Sequence, residues 1–182
     1  MANYVGYCIT PRVSSDHIAK VTAPSGGLKP GQLVFVESLD TGIAGNYEVF
    51  AATQPATAGL GGTNLAMVIN GGFETLSDGR RPAGQPDYTQ YTYAEGETVP
   101  VVFLDRHLNF LVSVDSVSGG TSAAPATDIG KFIIPANGTY TGAVAADPSG
   151  IGNYLKIVGT YYLPLGGNYG GNFANVYVCV AQ

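Results

Sequence analysis

The chain has 182 residues, 45% apolar and only 12% charged, with 26 Gly, 11 Pro, no Trp and a net charge of −5. That is ample apolar material for one domain with a core, while the charged share is about half the usual one. Residues 31–182 hold five basic and twelve acidic side chains, and an acidic body argues against a nucleic-acid partner, which needs a basic face.

Residues 1–24 show no sustained period. Ser14, Ser15 and Asp16 suit the start of a short helical turn, but Val21 and Thr22 favour a strand and Pro24 stops a helix. The expectation is an extended N-terminal arm over 1–24 with at most one helical turn, followed by a β domain over 25–182. Arg12, Lys20 and Lys29 against Asp16 make the first thirty residues mildly basic. The start lacks a basic n-region with a long apolar core, and no run approaches the ~20 apolar residues of a membrane span. A soluble protein made in a cytoplasm, with no membrane partner, is expected.

Turn residues then alternate with short period-two runs. Pro24, Gly26, Gly27, Pro30 and Gly31 supply turn chemistry. Strands are expected over 32–37, 46–53 and 64–70, the last with Leu65, Met67 and Ile69 in alternation. Asn70 and Gly71 form a hairpin dipeptide, with 73–76 as its return. Residues 77–87 are the most polar loop and carry Arg80 and Arg81.

The longest apolar signal covers 93–116. Val99, Val101 and Phe103 share one parity, and Leu108, Phe110, Val112 and Val114 another. Asp105, Arg106 and His107 interrupt them, so the stretch reads as a hairpin with a polar tip. Residues 116–128 are small and polar, a linker or exposed loop that would subdivide the domain. Further strands are expected over 131–134, 139–144, 154–163 with a glycine bulge, and 174–181. No segment shows three turns of an apolar helical stripe. The fold class is all-β: a compact barrel or sandwich of about ten short strands.

Chemistry is sparse. His17 and His107 are the only histidines, too few for a histidine metal set, so neither a metal nor a cofactor is expected. Asp105, Arg106 and His107 adjoin, but neighbours in an extended chain point apart rather than converging on a substrate. His107 suits a turn position with positive φ. No nucleophile elbow or phosphate loop occurs. No catalytic residue is assigned, and the protein is not expected to be an enzyme. Cys8 and Cys179 have neither zinc nor redox spacing. Two free, largely buried thiols are expected, with a bridge as the alternative if the termini meet. Tyr88, Tyr91 and Tyr93, and Tyr161, Tyr162 and Tyr169, form two clusters. They read as a candidate interface or as ordinary strand residues.

Residues 21–28, Val-Thr-Ala-Pro-Ser-Gly-Gly-Leu, resemble the Thr-Ala-Pro-Gly-Gly-Leu run after the N-terminal arm of lambda-type capsid decoration (cement, head-stabilising) proteins of tailed bacteriophages, with Ser25 inserted. Residues 29–36 look like the turn and first strand of such proteins, while 116–182 have no counterpart. The resemblance implies a non-enzymatic virion protein, usually a homotrimer. Its arm would add to the major capsid protein, often as an extra strand. Tyr4, Val5, Tyr7, Ile9, Arg12 and Lys20 would then be the capsid-binding residues, on a protein that binds and stabilises the outer capsid surface. The alternative is a glycan- or receptor-binding head-fibre or tail-fibre module using the tyrosines.

Overall fold

The computed structural model describes residues 3–10, 15–43, 45, 48–56, 64–70, 91–148, 150–164 and 173–182. Among them are twelve strands and about 7% helix, so the chain is all-β as expected. In order the strands are β1 (Gly6–Cys8), β2 (Ile18–Thr22), β3 (Leu33–Leu39), β4 (Val49–Thr53), β5 (Leu65–Val68) and β6 (Thr98–Phe103). There follow β7 (Asn109–Ser113), β8 (Val117–Ser118), β9 (Phe132–Ile134), β10 (Gly142–Ala145), β11 (Leu155–Pro164) and β12 (Phe173–Ala181). Strands β2-β4-β3-β5-β6 close into a five-stranded barrel, and β1-β7-β12-β11-β9-β10-β8 form a seven-stranded sheet.

Two cores follow from this arrangement. Four of the five barrel strands send alternate buried residues inward, Val21, Val34, Val36, Ala66, Val68, Val99 and Val101, and Phe50 and Ala52 of β4 are partly buried against them. The opposite parity of β3, β5 and β6, with Leu33, Phe35, Leu65, Met67 and Val102, packs on the sheet residues Phe110, Val112, Ile133, Leu155, Ile157, Tyr177 and Cys179. Strands buried on both faces need apolar residues at every position. That is why β3 and β5 open as unbroken apolar runs, each with four successive buried residues.

The polar interruption at 105–107 is not a hairpin tip. Strand β6 pairs with β2 and β5, and β7 pairs with β1 and β12. The hydrogen-bonding edges of both are therefore occupied, and the chain crosses from barrel to sheet between them. Leu108 N–H donates to Asp105 O at 3.1 Å, and His107 N–H to Ala181 O at 3.1 Å. His107 has φ 74, the expected left-handed conformation. Two other expectations hold locally. The strands expected over 131–134 and 139–144 are found as β9 and β10, an antiparallel pair, and the β11 register shifts between Ile157 and Gly159.

Of the segment expected as an arm, the described residues 3–10 and 15–24 are extended with one short helical turn, Ser15–His17, and they lie on the body. Strand β1 lies on β7 with Tyr7 opposite Leu111, and β2 sits between β4 and β6 in the barrel. Val5 is fully buried. The cause is the pairing available to it. Gly6 approaches so closely that a β-carbon there would stand 2.4 Å from both Gly31 N and Val68 O. Gly31, with φ +86, in turn leaves no room for a side chain against Ser116.

The stretch 116–128 is anchored as well. It carries β8 and a 3-10 turn, Pro125–Asp128, and the Asp128 side chain is fully buried. The Asp128 carboxylate accepts hydrogen bonds from Lys131 Nζ (2.7 Å), Tyr177 OH (2.5 Å) and Thr121 N–H (2.8 Å). Burial pushes its carboxyl up. The bonds from Lys131, Tyr177 and Thr121, with the Lys131 charge, outweigh burial and hold it down to about 2.

Candidate functional site

The six residues expected to touch a partner are spread over different environments. Val5 points into a small cluster with Ala174 and Val176, and its N–H donates to Ser113 Oγ at 3.0 Å. Tyr4 is half-buried, with the Lys29 ammonium 4.4 Å from its ring centroid and 3.2 Å from its hydroxyl. Tyr7 is half-buried against Leu111. Ile9 is 44% exposed, and its N–H continues the β1–β7 ladder by donating to Asn109 O at 2.8 Å. Lys20 lies on the barrel, paired with Glu48 at 3.4 Å across solvent. Arg12 lies outside the described residues. Val5 is thus unavailable to a partner, while Ile9 and Lys20 are accessible.

The tyrosine clusters separate in the same way. Tyr93 belongs to the barrel core and its hydroxyl donates to Ile69 O at 3.0 Å. Tyr91 stacks edge-on against it at 5.0 Å and donates to the Glu97 carboxylate at 2.9 Å. Burial and the Glu97 charge push the Tyr91 hydroxyl up from its ordinary value. Tyr93 is committed to the core, and Tyr91 is half-buried against it. Tyr161 and Tyr162 are 55% and 64% exposed on successive positions of β11, so they present aromatic surface on both faces of the strand. Tyr88 and Tyr169 lie outside the described residues.

One convergence was not legible from spacing. His17, in the short turn before β2, meets Asp105 at the barrel-to-sheet crossover, with Nδ1 and Oδ2 2.6 Å apart. Eighty-eight positions separate them along the chain, and only the β2–β6 pairing brings them together. Arg106, Leu104, Leu108, Gly152 and Asn153 complete the lining of the depression beside them. A second depression, lined by Arg106, His107, Tyr154 and Gln182 among others, adjoins it. A carboxylate on Nδ1 orients an imidazole and leaves Nε2 free to accept or donate a proton. The pair spans the crossover, and among the described residues its lining brings no Ser, Thr or Cys nucleophile to the imidazole.

Among the described residues no three His, Cys, Asp or Glu side chains converge as a metal would require. Among them, too, no helix is long and apolar enough to cross a membrane. No protein-family model, no curated protein and no solved structure matches this chain.

Proposed function

We propose that this chain is a structural virion protein that binds the outer surface of a phage capsid and stabilises it. The observation that carries the reading is the run at 21–28 and its similarity to lambda-type decoration proteins. Its placement is compatible with that role. The run leaves β2, turns through the Gly27 N–H to Pro24 O bond of 2.9 Å, and re-enters the barrel at the fully buried Leu28. Leu28 pairs there with Tyr93.

Attachment in this reading is made by the exposed side of the N-terminal strands rather than by a loose arm, because Val5 and Gly6 are committed to the body. Ile9 and Lys20 are the accessible members of the expected set. The test is co-sedimentation with undecorated capsids of the wild type, Ile9→Asp and Lys20→Glu, with circular dichroism as a folding control. Loss of binding in the folded variants is expected. A wild type that never sediments with capsids would refute the reading. Binding that both variants retain would move the contact elsewhere on the body.

A further inference from the structure

We propose that a second copy of this chain pairs antiparallel with the open edge of β11, about a two-fold axis through Tyr161. Strand β9 covers that edge only at Leu155 and Lys156, and the hydrogen bonds between Ile157 and residues 130 and 131 end the coverage. From residue 158 onward the pairing partner of β11 among the described strands is β12 alone. An extended edge presents unpaired N–H and C=O groups, and the chemistry that satisfies them is another strand.

Such edges are ordinarily guarded by charge or proline. Residues 158–163, Val-Gly-Thr-Tyr-Tyr-Leu, carry neither, and a proline comes only at Pro164, the last residue of β11. Exposed apolar groups concentrate here. Ile129, Val158, Tyr161 and Tyr162 are four of the eight large hydrophobics exposed among the described residues. The adjacency is direct for Ile129 and Val158, since Gly130 N–H donates to Ile157 O at 2.9 Å.

A second copy fits this edge for two reasons. The segment is uncharged, so two chains of net charge −5 meet along it without like charges facing each other, and nothing in it selects a partner of opposite sign. An antiparallel edge is also complementary to itself under two-fold rotation. Cross-strand partners must share a face of the sheet, so the axis passes through a residue. Centring it on Tyr161 sets Tyr161 against its own counterpart and Thr160 against Tyr162 of the other copy. This register stacks the exposed aromatic surface instead of leaving it in water.

The register makes the test specific. In a Cys8→Ala background, Tyr161→Cys places two cysteines directly opposite, at the Cα separation of about 4.5–5.5 Å that a disulfide accepts. Mild oxidation should convert that variant to a covalent dimer and leave Tyr162→Cys largely uncrosslinked. Sedimentation velocity of the wild type should give twice the 18.8 kDa chain mass, and Tyr161→Lys with Tyr162→Lys should give the single-chain mass. A wild type that stays monomeric across a concentration series would overturn the proposal and leave the edge for a strand of another protein. A trimer, the state implied by the family resemblance, would overturn it too. Equal crosslinking at both positions would overturn the register. None of these results depends on whether the protein binds capsids.

Discussion

Asn70 holds Gly6 from both sides. Its Oδ1 accepts the Gly6 N–H at 2.8 Å, and its own N–H donates to Gly6 O at 2.8 Å. The pair ties the outer edge of β1 to the end of β5, and so joins the sheet to the barrel. Asn70→Ala leaves a buried N–H without its partner, at a cost of about 1–3 kcal/mol. Gly6→Ala forces backbone atoms apart at Gly31 and Val68 and should cost about 2–3 kcal/mol. Urea denaturation of both variants checks this. Removing residues 2–20 takes β1 and most of β2 away and is expected to abolish cooperative unfolding. A truncated chain that still unfolds with a sharp transition would show that the two strands are accessory.

The buried Asp128 makes stability depend on acid. Its carboxyl titrates near the ordinary 3.8 in the unfolded chain and at about 2 in the folded one. Between those values the unfolded chain binds a proton that the folded chain does not, so acid favours unfolding. The contribution is complete above about pH 4, declines as pH falls, and is gone below about pH 2. Asp128→Asn should flatten that part of the stability–pH curve and lower stability at pH 7 by roughly 2–4 kcal/mol, since Lys131 loses its charge partner and Tyr177 a strong acceptor. Thermal melts of both proteins between pH 2 and 7 measure it; parallel curves would mean that other carboxylates dominate.

Nine of the twelve strands sit within stretches whose sequence alternates or runs apolar. Alternation is a local signal, and it survives wherever one face is wet and the other dry. β1 and β2 show too little of it to stand out, for different reasons. β1 is three residues long with a glycine at its tightest contact. β2 alternates Ala19 and Val21 with exposed neighbours, but over too few residues to stand out before Pro24. The two-residue β8 has no readable period. The crossover at 105–107 looks like a hairpin because local polarity says where strands end and not which strands pair. His17 with Asp105, and Tyr177 with Asp128, depend on contacts 88 and 49 positions apart. No spacing rule reaches them.

At the crossover, conformation should matter more than charge. The His17–Asp105 pair is open to solvent, mainly at Asp105, with side chains 33% and 59% exposed, so His17→Ala or Asp105→Ala should cost no more than about 1 kcal/mol. His107 holds φ 74. His107→Gly should be neutral to mildly stabilising, whereas His107→Val, β-branched in a left-handed position, should cost about 1–2 kcal/mol. Equilibrium denaturation of the four variants ranks them. A His107→Gly variant as damaged as His107→Val would show that the imidazole itself holds the turn.

Cys8 and Cys179 come close without bonding. Both lie opposite Phe110, on the strands flanking β7, so two strand spacings, about 10 Å, separate their Cα atoms. A disulfide needs under ~7 Å, and both thiols are free. Their reactivities should differ. Cys179 is fully buried in the main core, where burial pushes its thiol up and suppresses the thiolate. Cys8 is half-buried at the sheet edge. An aromatic disulfide reagent should therefore modify one thiol slowly in the native protein and the second only after denaturation. Cys8→Ala should remove the native reaction entirely, and Cys179→Ala should keep it while costing about 1 kcal/mol for the small cavity left beside Phe110. A chain that shows no free thiol even in denaturant would mean that the two cysteines are bridged. In that case β7 could not lie between β1 and β12.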